Sequence, residues 1–243
     1  MRALEDLIAV DDPAWPVLGP ALAAAGAVRV LPPADPEEGR RCLLQLQVSA
    51  RSTLGALVLH TGGLLVDGGW LRVLGGGGGA GGSGDLPGLG RANRFPAAVD
   101  PGWHPAAALV VGYDVLGGVF ALNGHDPAAA GRPGAPGQMT YFAPDTLAWE
   151  AMETGHSGWI AWLLDDRLDQ FYDGLRHPGW REETAALGLG EGFTVYPFLW
   201  SEEGQRSGAA ASRRPAPMSE LLGVAGEFAR QMGLADPGFL GEL

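Results

Sequence analysis

Residues 107–150, AALVVGYDVLGGVFALNGHDPAAAGRPGAPGQMTYFAPDTLAWE, constrain the fold more than any other stretch of this chain. Three short apolar runs, Ala108-Leu109-Val110-Val111, Gly118-Val119-Phe120-Ala121-Leu122 and Met139-Thr140-Tyr141-Phe142, have the length and composition of strands. Gly117-Gly118 sits where a tight reversal is needed. The pattern predicts a β-meander, followed by a helix that Asp145 or Thr146 caps and that runs through Met152. Polar residues fall where strands end, at Tyr113, Asp114, Asn123, His125 and Asp126, in no arrangement that a catalytic mechanism requires.

Elements flank the meander on both sides. Asp12-Pro13 has the form of a helix entry, and Ala14 to Ala25 ends at Gly26. A short strand at Val28–Leu31 follows, then an amphipathic helix over Pro36–Val48 and a helix over Thr53–His60 capped by Ser52. Leu64-Leu65-Val66 and Trp70-Leu71-Arg72-Val73-Leu74 flank Asp67-Gly68-Gly69 as a hairpin. Downstream, Ile160, Leu164, Leu168, Phe171 and Leu175 predict one long helix that Ser157 caps and His177-Pro178-Gly179 stops. FTVYPFLW at 193–200 has the composition of a buried strand broken by Pro197, and Ser219–Met232 closes the chain with a weak helix. These elements predict a single α+β domain over residues 1–243, an antiparallel β-meander sheet packed against several helices. A flexible glycine-rich loop is expected at 75–95 and a second loop at 204–216.

Charge and cysteine content narrow the function. The 243 residues carry 28 acids against 16 bases, a net charge of −12, and every base is arginine. A surface so acidic repels a phosphate backbone, which argues against nucleic acid as a partner. Without lysine, Schiff-base and phosphate-loop lysine chemistry are both closed. The single cysteine, Cys42, forbids an intramolecular disulfide, and no membrane span or secretion signal is legible, so a cytoplasmic setting is expected.

Each motif with chemical potential has a structural reading that asks less of the chain. Gly76, Gly78 and Gly81 spell G-x-G-x-x-G after a strand, but the following Gly82-Ser83-Gly84-Asp85-Leu86-Pro87 cannot open the helix that a dinucleotide site needs. No cofactor is expected. Gly155-His156-Ser157-Gly158-Trp159 approaches a nucleophile elbow, yet Trp159 replaces the second glycine and no strand precedes the serine. His60, His104, His125, His156 and His177 lie far apart, without ligand spacing, so no metal is expected. Asp165, Asp166, Asp169 and Asp173 lie on the polar side of the long helix, a solvated face or a partner's target. Trp159 and Trp162 belong to its apolar side, whereas Trp70, Trp103 and Trp180 follow glycines and suit a binding surface or a loop anchor.

With these residues in view, the chain resembles a bacterial family catalogued as domain of unknown function 2625. The resemblance is carried by RALEDLIAVDDPAWP, LGALVLHTGGLLVDGGWLRVLG, VGYDVLGGVFALNG, MTYFAPDTLAWE, FYDGLRHPGW and YPFLWSEEG, which together cover most of residues 1 to 220. A more distant similarity, in the order of helix, glycine pair and strands, is to the SUKH superfamily. Its carriers are Thr61-Gly62-Gly63, Trp70 and Asp114 to Asn123, whereas Val115-Leu116 depart from the usual turn. This second resemblance implies a SUKH-like fold and a toxin-immunity or protein-interaction role. The resulting expectation is a non-enzymatic module that binds another, basic protein through Asp67, Trp70, Tyr113, Asp114, Asn123, His125, Asp126 and Tyr141. The alternative is a hydrolase or transferase that gathers Asp114, His125, Asp126 and Tyr141 in a cleft at the strand ends.

Overall fold

A computed structural model describes residues 1–79, 84–105, 107–165 and 167–243; of Ala209 it describes the backbone alone. Gly81 and Asp166, named above, and residues 80–83 of the expected loop lie outside the described residues. Helix α1 (Leu4–Ile8) and helix α2 (Trp15–Ala24) lead into strand β1 (Val28–Leu31). Helices α3 (Pro36–Leu46) and α4 (Thr53–His60) follow, then β2 (Gly63–Val66) and β3 (Leu71–Leu74). Two short strands, β4 (Gly78–Gly79) and β5 (Asp85–Leu86), and helix α5 (Leu89–Ala92) precede β6 (Ala108–Asp114), β7 (Val119–Asn123), β8 (Met139–Ala143) and β9 (Ala148–Ala151). The chain continues through α6 (His156–Leu163), α7 (Leu168–Phe171), α8 (Trp180–Ala185), β10 (Glu191–Tyr196), α9 (Glu202–Ser207), β11 (Ser212–Pro217) and α10 (Met218–Gln231).

The expected meander is present and is larger than the three central runs. A seven-stranded sheet runs β1-β2-β3-β6-β7-β8-β9, antiparallel at every step. Its neighbours follow chain order except for the β4–β5 excursion. β2, β3, β6 and β8 are buried at every position, so both faces of the sheet are covered. That is why these strands read as unbroken apolar runs instead of alternating ones. On one side Trp159 of α6 packs on Phe120, with ring centroids 5.2 Å apart. A Cβ at Gly112 would lie 3.1 Å from the Trp159 ring, so glycine gives the indole its seat in β6.

Capping explains the helices that the sequence marks clearly. Asp35 accepts from Glu37 N at 2.9 Å and Ser52 from Gly55 N at 3.0 Å, each opening its helix as a side-chain cap. Other expectations are corrected. Residues 145–152 hold a turn and then β9 (Ala148–Ala151), not a helix, because Leu147 takes a positive φ of 55° and its N–H closes a turn on Ala143, which delivers the chain to the sheet edge. The predicted long helix is two, α6 ending at Leu163 and α7 beginning at Leu168. Ser157 is not its cap: Gly155 holds that position, and the Ser157 hydroxyl accepts from Thr53 Oγ1 of α4 at 2.9 Å. Asp12 does not cap α2, which begins after Ala14.

The glycine-rich stretch is also packed where it is described. Gly75 to Gly78 run against the backbone at Thr61 to Gly63; a Cβ at Gly62 would lie 2.6 Å from the Gly78 Cα, and one at Gly75 would lie 2.6 Å from Thr61 O. Two backbones approach where no side chain fits, and this, not flexibility, explains the glycines at these positions. Leu86 and Leu89 are buried, and Asn93 bridges to β6 through Val110. The 204–216 segment likewise holds most of α9 and β11, with β11 paired along β10. Among the described residues no helix is long and apolar enough to cross a membrane.

Candidate functional site

The residues expected to form a binding face divide between two ends of the sheet. Asp114 closes β6 at the reversal into β7 and is fully buried. Its Oδ1 accepts from the N–H groups of Leu116 and Gly118, both at 2.9 Å, and its Oδ2 from the hydroxyls of Tyr141 at 2.7 Å and Tyr172 at 3.0 Å. Burial pushes the carboxyl upward, and these four donors oppose it. Burial beside Asp114 also pushes the Tyr141 and Tyr172 hydroxyls well above their ordinary value, so both remain donors. The arrangement is a closed, satisfied network that fixes the turn and holds the segment carrying Tyr172 to the sheet.

A second cluster adjoins it. Arg176 is 8% exposed and pairs with Asp67 at 2.6 Å and with the exposed Asp169. Its guanidinium lies 5.2 Å from the Trp70 ring, 5.1 Å from Tyr172 and 4.1 Å from Trp180. Trp70 and Trp180, read above as possible surface aromatics, are therefore walls around an arginine of the same chain. Tyr113 is buried too, donating to Leu189 O at 2.8 Å beside Arg72. Arg72 reaches Gly69 O, Leu189 O and Glu191 O, tying β3 to the approach to β10.

Asn123, His125 and Asp126 lie at the other end of β7. Asn123 is buried and accepts from Arg132 Nε at 3.1 Å; Arg132 also donates to Thr140 Oγ1 at 2.6 Å and stacks 3.4 Å over Trp149. His125 and Asp126 are exposed, and Asp126 caps the turn at Ala129 with a 3.1 Å bond. The structure thus brings Asp114 and Tyr141 together but leaves His125 and Asp126 at the opposite end of the strand. A cleft gathering all four is absent among the described residues.

An open concave surface lies elsewhere, where the β6–β7 reversal meets β10 and α10. Its floor is Leu116, Phe193, Val195 and Leu221, all buried. Two aromatic rings line its edge, Phe198 and Trp200, stacked at 4.5 Å and 7°; next to that lining Phe228 packs 5.1 Å from Phe198 and 5.3 Å from Trp200, and Tyr196 stands 64% exposed beside Phe198. Asp145, Glu203 and Glu220 lie one to three residues from lining positions, and none makes an ion pair among the described residues; Arg214, exposed on β11, stands in register with Thr194 of the lining. Such a groove suits an apolar side chain carried on a basic segment.

A family model described as "Protein of unknown function DUF2625" matches residues 4–221. The chain belongs to the DUF2625 family. Among its relatives, "Putative uncharacterized protein YbfG" of Escherichia coli (strain K12) is 37% identical over 223 residues, covering 91% of this chain and 94% of that protein. An "Uncharacterized protein" of Haemophilus influenzae (strain ATCC 51907 / DSM 11121 / KW20 / Rd) is 31% identical over 201 residues, covering 82% and 83%. No solved structure matches the chain. The DUF2625 match takes in the whole Asp114 network and the β10 wall of the groove, and ends within α10 at Leu221.

Sequence reasoning missed Tyr172, Arg176 and the rim of the groove in this DUF2625 chain. Arg72 did carry a signal, as a lone charge inside the apolar run WLRVLG. The rim carried one as well: FTVYPFLW holds four aromatic residues in eight, more than one buried strand needs.

Proposed function

We propose that this DUF2625 protein is a non-enzymatic protein-binding module that takes a basic, apolar-faced segment of another protein into the groove between β10 and α10. The observation that carries this reading is the half-exposed, stacked pair Phe198 and Trp200 at the edge of the groove, extended by the neighbouring Phe228 and the exposed Tyr196, over a floor of buried aliphatic and aromatic residues. Aromatic side chains bury large area at little entropic cost and commonly anchor interfaces. The −12 charge steers a basic partner toward the molecule, and Asp126, exposed at the far end of β7, contributes only to that long-range attraction. Asp67, Trp70, Tyr113, Asp114 and Tyr141 serve as the scaffold that positions the β6–β7 reversal and its neighbours, and Asn123 holds the loop at the opposite end of β7.

The finer setting is toxin immunity, with a basic nuclease toxin as the partner class. What supports it is the similarity to SUKH domains at Thr61-Gly62-Gly63, Trp70 and Asp114 to Asn123, together with the acidic surface.

The test is selection from a phage-displayed random peptide library on the purified protein. Enriched peptides should combine arginine or lysine with aromatic or aliphatic residues. Their affinity should fall about tenfold or more with Tyr196→Ala or Glu220→Arg, a loss of roughly 1.4 kcal/mol or more. Both positions are exposed, so the fold should survive. Absence of enrichment, or peptides indifferent to both changes, would overturn the proposal.

A further inference from the structure

Helix α2, WPVLGPALAA, carries no charged side chain, and no charge occurs anywhere in residues 13–28. Of its ten residues only Leu22 is fully buried. Trp15 is drawn inward by stacking on His60 at 4.7 Å. Pro16, Val17, Pro20, Ala21 and Ala24 are exposed, and Val17 is 79% exposed. These positions recur at spacings of three and four, so they share one face of the helix. An apolar helix normally buries its whole circumference, and here the outer half is left uncovered.

The neighbouring strand is also incomplete. α2 packs on β1, which is the outer strand of the seven-stranded sheet and, among the described residues, pairs with β2 alone. Ala27 O accepts from Asp67 N and Leu31 O from Gly62 N, so alternation turns the N–H and C=O of Val30 away from β2. Pro32 and Pro33 follow at once and limit further pairing on this edge.

We propose that the α2 face and the Val30 edge form an isologous contact with a second copy of this chain. Charge selects that occupant. A basic partner finds no acid within 13–28, and two copies of −12 repel one another across the rest of the surface, so this neutral face is where they approach at least cost. A two-fold axis beside Val30 lets the two Val30 residues exchange N–H to C=O bonds and lays the two α2 helices against each other. A ten-residue helix offers a strip only about 15 Å long, well short of the roughly 800 Å² per partner of a stable interface. The dimer is therefore weak, reversible and dependent on concentration. This contact is independent of the groove between β10 and α10.

Sedimentation equilibrium of the full chain, from about 10 to 500 μM, tests it. The wild-type mass should rise toward twice 25.2 kDa with concentration. Added salt should strengthen association, because it screens the repulsion between like-charged copies while leaving the apolar contact intact. Val17→Glu should hold the protein monomeric throughout the range, and Ala21→Glu should do the same if either variant must be set aside for poor folding. Both place acids face to face across the two-fold. A wild-type protein that stays monomeric at every concentration, or a dimer that survives folded Val17→Glu and Ala21→Glu unchanged, would overturn the proposal.

Discussion

Tyr172 donates its hydroxyl to Asp114 Oδ2 at 3.0 Å, so a residue of the segment after α7 is bonded to the turn between β6 and β7, 58 positions earlier in the chain. Tyr141 reaches the same oxygen from β8. One buried carboxylate thus joins β6, β8, the β6–β7 reversal and the segment that follows α7, and the cost of burying it is offset only while all its donors are in place.

Asp114→Ala should therefore destabilise the fold by on the order of 3–5 kcal/mol, since it leaves two backbone N–H groups and two hydroxyls unpaired. Tyr172→Phe removes one bond and should cost about 1–2 kcal/mol. Urea denaturation of both variants checks the ordering. Equal and small losses would show that the carboxylate does not organise the turn.

The glycine-rich segment gives an opposed pair of outcomes. Gly62→Ala should cost more than about 2 kcal/mol, because its Cβ would press on the Gly78 Cα and Pro32 O and the backbone at both sites must shift. Gly223→Ala, in helix α10 with open space around the added methyl, should stabilise slightly, by up to about 1 kcal/mol. Replacing 75–95 by a short linker should likewise lower the melting temperature, in contrast to what the composition of that stretch leads one to expect.

The meander, the β2–β3 hairpin and helices α3 and α4 were legible because each carries its own local signal: unbroken apolar runs, a glycine turn, or a capping Asp35 or Ser52. The glycine stretch misled because glycine that permits flexibility and glycine that permits two backbones to touch look alike in one dimension. β9 was hidden by Asp145 and Thr146, which are good caps, and by a turn that depends on Leu147 at positive φ. The long helix was misread because a heptad-like stripe continues from α6 through the break into α7, so the apolar spacing alone does not reveal the interruption. At the site, sequence reasoning picked out Asp114 and Tyr141 as functional polar residues at strand ends. Their burial depends on Tyr172 and Phe171 arriving from far along the chain, which spacing cannot show.

Leu163 and Leu164 separate the two helix readings. In the structure Leu163 is buried and Leu164, at the end of α6, is half-buried. Leu163→Ala should cost about 2–5 kcal/mol and Leu164→Ala distinctly less. A reversed order in thermal denaturation would restore the continuous helix.

His156 sits at the start of α6 against Trp159, 8% exposed, and among the described residues neither ring nitrogen has a hydrogen-bond partner. Burial lowers its pKa from 6.5 to about 4. Because the folded value is depressed, the unfolded chain takes up the proton first, so the contribution of the neutral ring is complete above pH 6.5 and is lost as pH falls toward 4. The loss should be on the order of 3 kcal/mol. His156→Leu should flatten stability against pH across that window relative to wild type. An unchanged slope would mean that the imidazole is not held neutral by burial.

The central claim is that a basic, apolar-faced segment docks between β10 and α10. Hydrogen–deuterium exchange of the whole protein, with and without a peptide taken from the library selection, tests it most directly. The account predicts slowed exchange in residues 193–200 and 221–228, and no change there for the same peptide with Glu220→Arg. Slowed exchange confined to residues 67–72 and 113–126, with the groove unaffected, would contradict it.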